Sequence, residues 1–258
     1  MRNKNSTPDF QQIMPITPVV KKLIIANVVI WFVGIVLIEQ YFLADPKISH
    51  WFGLTPYNVL KDFYLWQPVT YLFIHSSGPM HVIFNMLLLW WMGSELERHW
   101  GARFFTLYYF VCGVGSAFLY MFSVLIYSII SGKAEVLSVP VVGASAAIFG
   151  LLVAYGLVFG ERTVLFFFFF PMKAKVFVAI LGAIEVVLVL NNGLIQGKVA
   201  NLAHIGGLVS GFAFLVLWPW FKNRGTRSKA SKKGTGKLKL VVNKNEDLNE
   251  NDKPKYWN

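Results

Sequence analysis

Residues 200–220 read ANLAHIGGLVSGFAFLVLWPW. No Asp, Glu, Lys or Arg interrupts them. At 1.5 Å per residue the stretch makes a helix about 30 Å long, the thickness of the hydrocarbon layer of a bilayer. Ala200, Ala203, Gly207 and Gly211 recur at spacings of three and four, so one side of that helix is flat. In lipid, helices associate where small residues let backbones approach. His204 borders the flat side, and an ionisable group at such depth is costly and is usually kept for function. The stretch therefore reads as a transmembrane helix with a histidine whose role depends on what lies opposite it.

Working outward, the same composition recurs. The chain has 258 residues, of which 55% are hydrophobic and 14% charged. A soluble domain of this size has about a quarter charged residues. The expected fold class is therefore all-α, a polytopic membrane bundle of six transmembrane helices. The other five spans are read at about Leu23 to Phe42, His81 to just before Glu95, Phe104 to Ile130, Val142 to Phe159 and Ala174 to Leu190. The second and fourth are short for the bilayer and need tilt, thinned lipid or burial by neighbours. Three regions follow: an N-terminal segment 1–19, a membrane domain 20–220 and a basic tail 221–258. Residues 1–18 have no apolar core before a cleavage site, so no removable signal peptide is expected. Cys112, the only cysteine, is read as a packing residue.

Charge sets the orientation. With both termini in the cytoplasm, the inner side holds Arg2, Lys4, Lys21, Lys22, Arg98, Arg103, Arg162, Lys173 and Lys175, against Lys47, Lys61, Lys133 and Lys198 outside. This matches the positive-inside rule. Residues 221–258 hold eleven Lys/Arg and four acids. Beside a membrane segment such a tail reads as disordered and touching anionic lipid rather than nucleic acid. No internal repeat is visible, which weighs against a transporter.

The topology then brings four polar residues to one depth. Spans two, four and six all begin outside. His81 and Asn85 open the second, Ser145 sits in the first turn of the fourth, and His204 lies about one turn into the sixth. The fourth span carries its own ladder, Gly143, Ala147, Gly150 and Ala154, with Ser145 adjacent. Contact between the two ladders would bring Ser145 to His204. A serine hydroxyl is a weak nucleophile until a base takes its proton, and histidine can do so near neutral pH. The unpaired N–H groups of the first helical turn favour a developing oxyanion. His81 and Asn85, spaced i, i+4, share a face from which both can donate. Taken singly, Ser145 would be a packing hydroxyl and His204 a satisfied interior histidine.

Glu185, the one carboxylate deep in a span, has three readings: orienting His204, bonding a backbone group, or packing in protonated form. Packing is the favoured one. Glu39 is expected to snorkel from the end of the first span. Phe166–Phe170 is read as interfacial packing. None of the five histidines makes a His-Glu-x-x-His spacing, and no Asp lies in any span. Zinc and aspartyl hydrolysis are thereby set aside.

Three motifs resemble those of the rhomboid intramembrane serine proteases, over about residues 20–220. Gly143-Ala144-Ser145-Ala146 resembles the nucleophile motif, Ala203-His204-Ile205-Gly206-Gly207 the base motif, and His81-Val82-Ile83-Phe84-Asn85 the oxyanion motif. Trp66-Gln67, Thr70 and His75 resemble the segment before the second span, and Glu97-x-x-x-Gly101 with Arg103 the turn after it. The resemblance implies Ser145 as nucleophile, His204 as general base, and His81 and Asn85 as oxyanion donors. It implies transmembrane helices as substrates, no metal or organic cofactor, and a bacterial inner membrane. Ala146 replaces a frequent glycine, Phe149 a tyrosine of some members, and Gln67 an arginine of others. A non-catalytic relative that kept the fold for binding or quality control is the alternative.

Overall fold

Glu97 fixes where the first long helix begins. Its carboxylate accepts the Thr17 hydroxyl and the N–H groups of Val19 and Val20, the latter two at 3.0 Å. A carboxylate there satisfies donors that the first helical turn leaves unpaired. Pro18 opens that helix, α1 (Pro18–Val29), which continues as a wider π-helical stretch, Ile30–Leu43. The computed structural model describes residues 15–43, 45–166, 170–192 and 200–230, with backbone alone at 166, 192 and 221–230. It divides into two units, Met1–Trp218 and Pro219–Asn258. In the second unit, residues 219–230 are helical. The rest of the basic tail, residues 231–258, and the N-terminal residues 1–14 lie outside the described residues.

After α1 come three short helices, α2 (Lys47–Phe52), α3 (Pro56–Lys61) and α4 (Gln67–Thr70). Glu39 does not snorkel. It is buried and accepts the Ser49 N–H at 2.6 Å and the Ser49 hydroxyl at 2.8 Å, capping α2. Gln67 is fully buried; its oxygen accepts the Thr55 N–H at 2.9 Å and its amide donates to the His50 carbonyl at 3.0 Å. A neutral amide can donate and accept at once, which an arginine cannot. Trp51, Tyr64 and Trp66 stack alongside, with ring centroids 5.5 and 4.8 Å apart.

The segment expected as the second span is α5 (Pro79–Leu88), a π-helical stretch Leu89–Gly93 and α6 (Ser94–Trp100). Helix thus runs past the expected end before Glu95. Gly101, at φ +81°, turns the chain into α7 (Ala102–Ser131), the 30-residue centre of the bundle. Its tyrosines reach neighbouring backbones: Tyr108 donates to the Gly150 carbonyl at 2.8 Å, and Tyr120 to that of Val139 at 3.1 Å. Helix α8 (Ser145–Val158) has 14 residues, about 21 Å. Eight of them are buried, so protein rather than lipid surrounds this short helix.

Helices α9 (Ala174–Asn192) and α10 (Ala200–Ala230) complete the bundle. Pro18–Leu43, α7, Ala174–Asn191 and Ala200–Trp220 are each long and apolar enough to cross a membrane. The protein is a polytopic helical bundle. Within the helical bundle, a short two-stranded antiparallel hairpin joins α8 to α9: β1 (Thr163–Phe166) pairs with β2 (Phe170–Lys173), Thr163 opposite Lys173. The ends of the Phe166–Phe170 run lie on these strands, and residues 167–169 lie outside the described residues. Glu161 beside the hairpin pairs with Lys173 at 2.6 Å and with Lys175. Hydrogen bonds from these lysines hold its carboxyl down at about 2.

Candidate active site

Helices α8 and α10 meet backbone to backbone. A Cβ on Gly207 would run into the Ala146 carbonyl oxygen. One on Gly211 would lie 3.0 Å from the Gly150 Cα. Behind them, the Ser116 hydroxyl on α7 donates to the Ala203 carbonyl at 2.5 Å. The small residues therefore meet as the two ladders require, with Ala146 rather than Ala147 at the tightest point. This contact brings the Ser145 Oγ to 2.8 Å from the His204 Nε2. The Phe149 ring stacks on the imidazole, centroids 4.3 Å apart and 14° from parallel.

Ser145 is the first residue of α8. The Ile148 N–H bonds the Ala144 carbonyl at 3.0 Å, and the N–H groups of the turn before it belong to the first helical turn, which has no acceptors for them within the helix. Gly143 precedes it at φ +122°, tied by its N–H to the Tyr71 carbonyl at 2.9 Å. A side chain at Gly143 would be strained, and its Cβ would lie 2.9 Å from the His81 Nε2 and 3.5 Å from the Ser145 Oγ. The glycine leaves a small space bounded by a helix start, a hydroxyl and an imidazole edge.

The tautomer of His81 follows from its neighbours. The Ser76 N–H reaches the His81 Nδ1 at 3.2 Å, and the Ser76 hydroxyl lies 2.9 Å from it. A main-chain N–H only donates, so Nδ1 accepts and Nε2 carries the proton facing the space beside Gly143. Trp31 steadies this arrangement by donating to the Ser76 carbonyl at 3.0 Å. His75, fully buried, stands edge-on to His81 at 5.0 Å. Burial, then the neighbouring His81, push its imidazole down to about 4. Asn85 is buried on the same face, and its amide nitrogen donates to the His81 carbonyl at 2.7 Å. That bond uses one of its two amide N–H groups.

Glu185 departs from the packing reading. Its Oε1 lies 3.1 Å from the His204 Nδ1, and its Oε2 accepts the Asn201 amide at 2.6 Å. Asn201 and His204 are spaced i, i+3 on α10, so one face presents both to α9. That spacing, one apolar helix away from a lone carboxylate, is the signal that sequence reasoning passed over. Ser76 was missed too; a polar residue five positions before a histidine carries no periodicity.

A polytopic helical membrane protein with a serine and a histidine hydrogen-bonded between two helices is what fold and site together define. The rhomboid-domain family model matches residues 62–220, and the chain belongs to the rhomboid family. It is similar to the rhomboid protease GluP of Bacillus subtilis, 29% identical over 165 residues, 62% of this chain and 27% of that protein. It is similar to the rhomboid protease GlpG of Serratia proteamaculans, 29% identical over 187 residues, 71% of this chain and 58% of that one. RHOMBOID-like protein 4 of Arabidopsis thaliana is 31% identical over 160 residues, 62% of this chain and 36% of its own length. The matches thus cover between 27% and 58% of these relatives.

Proposed function

We propose that this protein is a serine endopeptidase of the membrane that cuts transmembrane helices through Ser145 and His204. The single observation that carries the reading is the 2.8 Å contact between the Ser145 Oγ and the His204 Nε2, beside the space at Gly143 that the His81 Nε2 borders. In the proposed reaction the Ser145 oxygen bonds the carbonyl carbon of the scissile peptide as its proton passes to the His204 Nε2. The carbonyl oxygen becomes an oxyanion, held by the Nε2–H of His81, the first N–H groups of α8 and the free N–H of Asn85. The C–N bond then breaks, and the leaving amine takes the proton from His204. Water repeats the sequence on the acyl-enzyme and frees the serine.

A substrate helix must open before it is cut, because an intact helix hides its carbonyls in its own hydrogen bonds. Substrates with small, helix-weakening residues near the cut fit this requirement. The charge asymmetry supports a site facing away from the cytoplasm, both termini inside, in a bacterial inner membrane, with the basic tail on anionic lipid. Purified protein in detergent is expected to cleave a single-span model substrate and to label with a fluorophosphonate. Ser145→Ala is expected to abolish both. A variant that still cuts at the parent rate would remove Ser145 as nucleophile.

A further inference from the structure

We propose that Glu185 is the positioning residue of His204, making the working unit Ser145–His204–Glu185 rather than a serine and histidine alone. The proposal rests on the protease reading above and deepens it. Helix α9 leaves most of its surface exposed; toward the end that carries the site, Glu185 is the one residue among the described ones with a buried side chain. A carboxylate there, facing away from lipid, is costly unless both its oxygens are used. Each has a partner at hand: Oε1 lies 3.1 Å from the His204 Nδ1, and Oε2 accepts the Asn201 amide at 2.6 Å. Asn201, one turn before His204 on the same helix, fixes the carboxylate where the imidazole needs it.

The chemistry gives the contact its meaning. For the His204 Nε2 to take the Ser145 proton, Nε2 must be bare and Nδ1 must carry the hydrogen. A carboxylate against Nδ1 selects that tautomer and stabilises the imidazolium formed as the serine oxygen bonds the substrate. Glu185 takes no proton; it returns to its starting state when His204 passes its proton to the leaving amine. In the resting structure Oε1 is near Nδ1 but off the line of its N–H, which has no aligned acceptor. Hydrogen bonds of this kind commonly tighten only when substrate is bound. The stacked Phe149 ring keeps the imidazole plane fixed, leaving in-plane adjustment as the motion that aligns the pair. The titratable groups facing His204 are Glu185 from α9, Ser145 from α8 and His81 from α5, with His75 behind His81.

The test is an ordered series, Glu185→Asp, Glu185→Gln and Glu185→Leu, purified in detergent beside the parent and Ser145→Ala. The measurements are kcat and KM on a single-span substrate, fluorophosphonate labelling rate and thermal midpoint. A general base supplies about 10²–10⁴ in rate, and we expect Glu185→Gln to forfeit about 10- to 100-fold of kcat with KM little changed. Glu185→Asp should recover part of that loss, Glu185→Leu should be worst, and labelling should fall in the same order. A packing role predicts the reverse order, Leu tolerated best and Asp worst. Glu185→Gln or Glu185→Leu working at the parent rate would overturn the proposal alone. Should Glu185→Leu fail to fold, Gln against Asp decides. A parent that neither cleaves nor labels would overturn the Ser145–His204 reading, and this proposal with it.

Discussion

Helices α8 and α9 are neighbours in sequence and both supply the site, yet they are held by different means. Helix α8 is caged: α7 and α10 press on it through Gly150, Ala146, Gly207 and Gly211, with backbone against backbone. Helix α9 leaves Val176, Ile180, Ile184, Val187 and Leu190 exposed, and near the site its bond to α10 runs through the side chain of Glu185. Ser145, the proposed nucleophile, therefore sits on a tightly packed helix, and Glu185, which lies behind the proposed base, sits on a helix that is largely exposed. A caged helix can hold Ser145 against His204 to within a hydrogen-bond length. A helix held by side chains can shift without unpacking a core, which would suit the side of the site that the proposed substrate helix approaches.

Glycine pairs offer the sharpest way to break this contrast. Gly207→Ala places a methyl group against the Ala146 carbonyl, where only backbone can yield. Overpacking of this kind costs about 1–3 kcal/mol, occasionally more. It should also part Ser145 from His204, so the expected outcome is a lower unfolding midpoint together with near-complete loss of cleavage. Cleavage at the parent rate would mean the helices meet elsewhere.

Gly182→Ala is the mirror experiment on α9. The nearest atom to its added Cβ is the Leu208 Cδ1 at 3.5 Å, an ordinary contact. Alanine is favoured over glycine inside a helix by up to about 1 kcal/mol. The midpoint should hold or rise slightly, and activity should stay within a few-fold of the parent. A large loss would place α9 in the same tightly packed class as α8.

The contrast also explains what was legible beforehand. Contacts built from repeated small residues leave a period in the sequence, so the helices that carry Ser145 and His204, and their meeting, could be read from the ladders at Gly143–Ala154 and Ala200–Gly211. The shortness of α8 left tilt, thinned lipid and burial open, and burial is what the helix has. Contacts built from one pair of side chains leave no period. Glu185 to His204 spans two helices, Ser76 to His81 depends on a turn, and Glu39 to Ser49 on a short helix capping itself with a residue from the span before. The hairpin at Thr163–Lys173 was hidden for a related reason: a run of phenylalanines satisfies a strand, a helix or an interface equally well.

The smallest expected effect lies at the other end of α9, and it separates the two polar ties of that helix. Glu161 pairs with Lys173 and Lys175 as Glu185 pairs with His204 and Asn201, so both look like anchors. They differ in surroundings: Glu161 is exposed to solvent, and Glu185 is buried. Hydrogen bonds from the lysines hold the Glu161 carboxyl down at about 2, below its ordinary value near 4.5. Any stability it lends is therefore present above pH 4.5 and fades as pH falls toward 2. Water and salt screen an exposed pair until little remains. Glu161→Gln should leave the unfolding midpoint and the cleavage rate unchanged at neutral pH, at low and high salt alike. A clear, salt-sensitive drop would show that the hairpin end also steers α9, and that its freedom is governed from both ends rather than from the site alone.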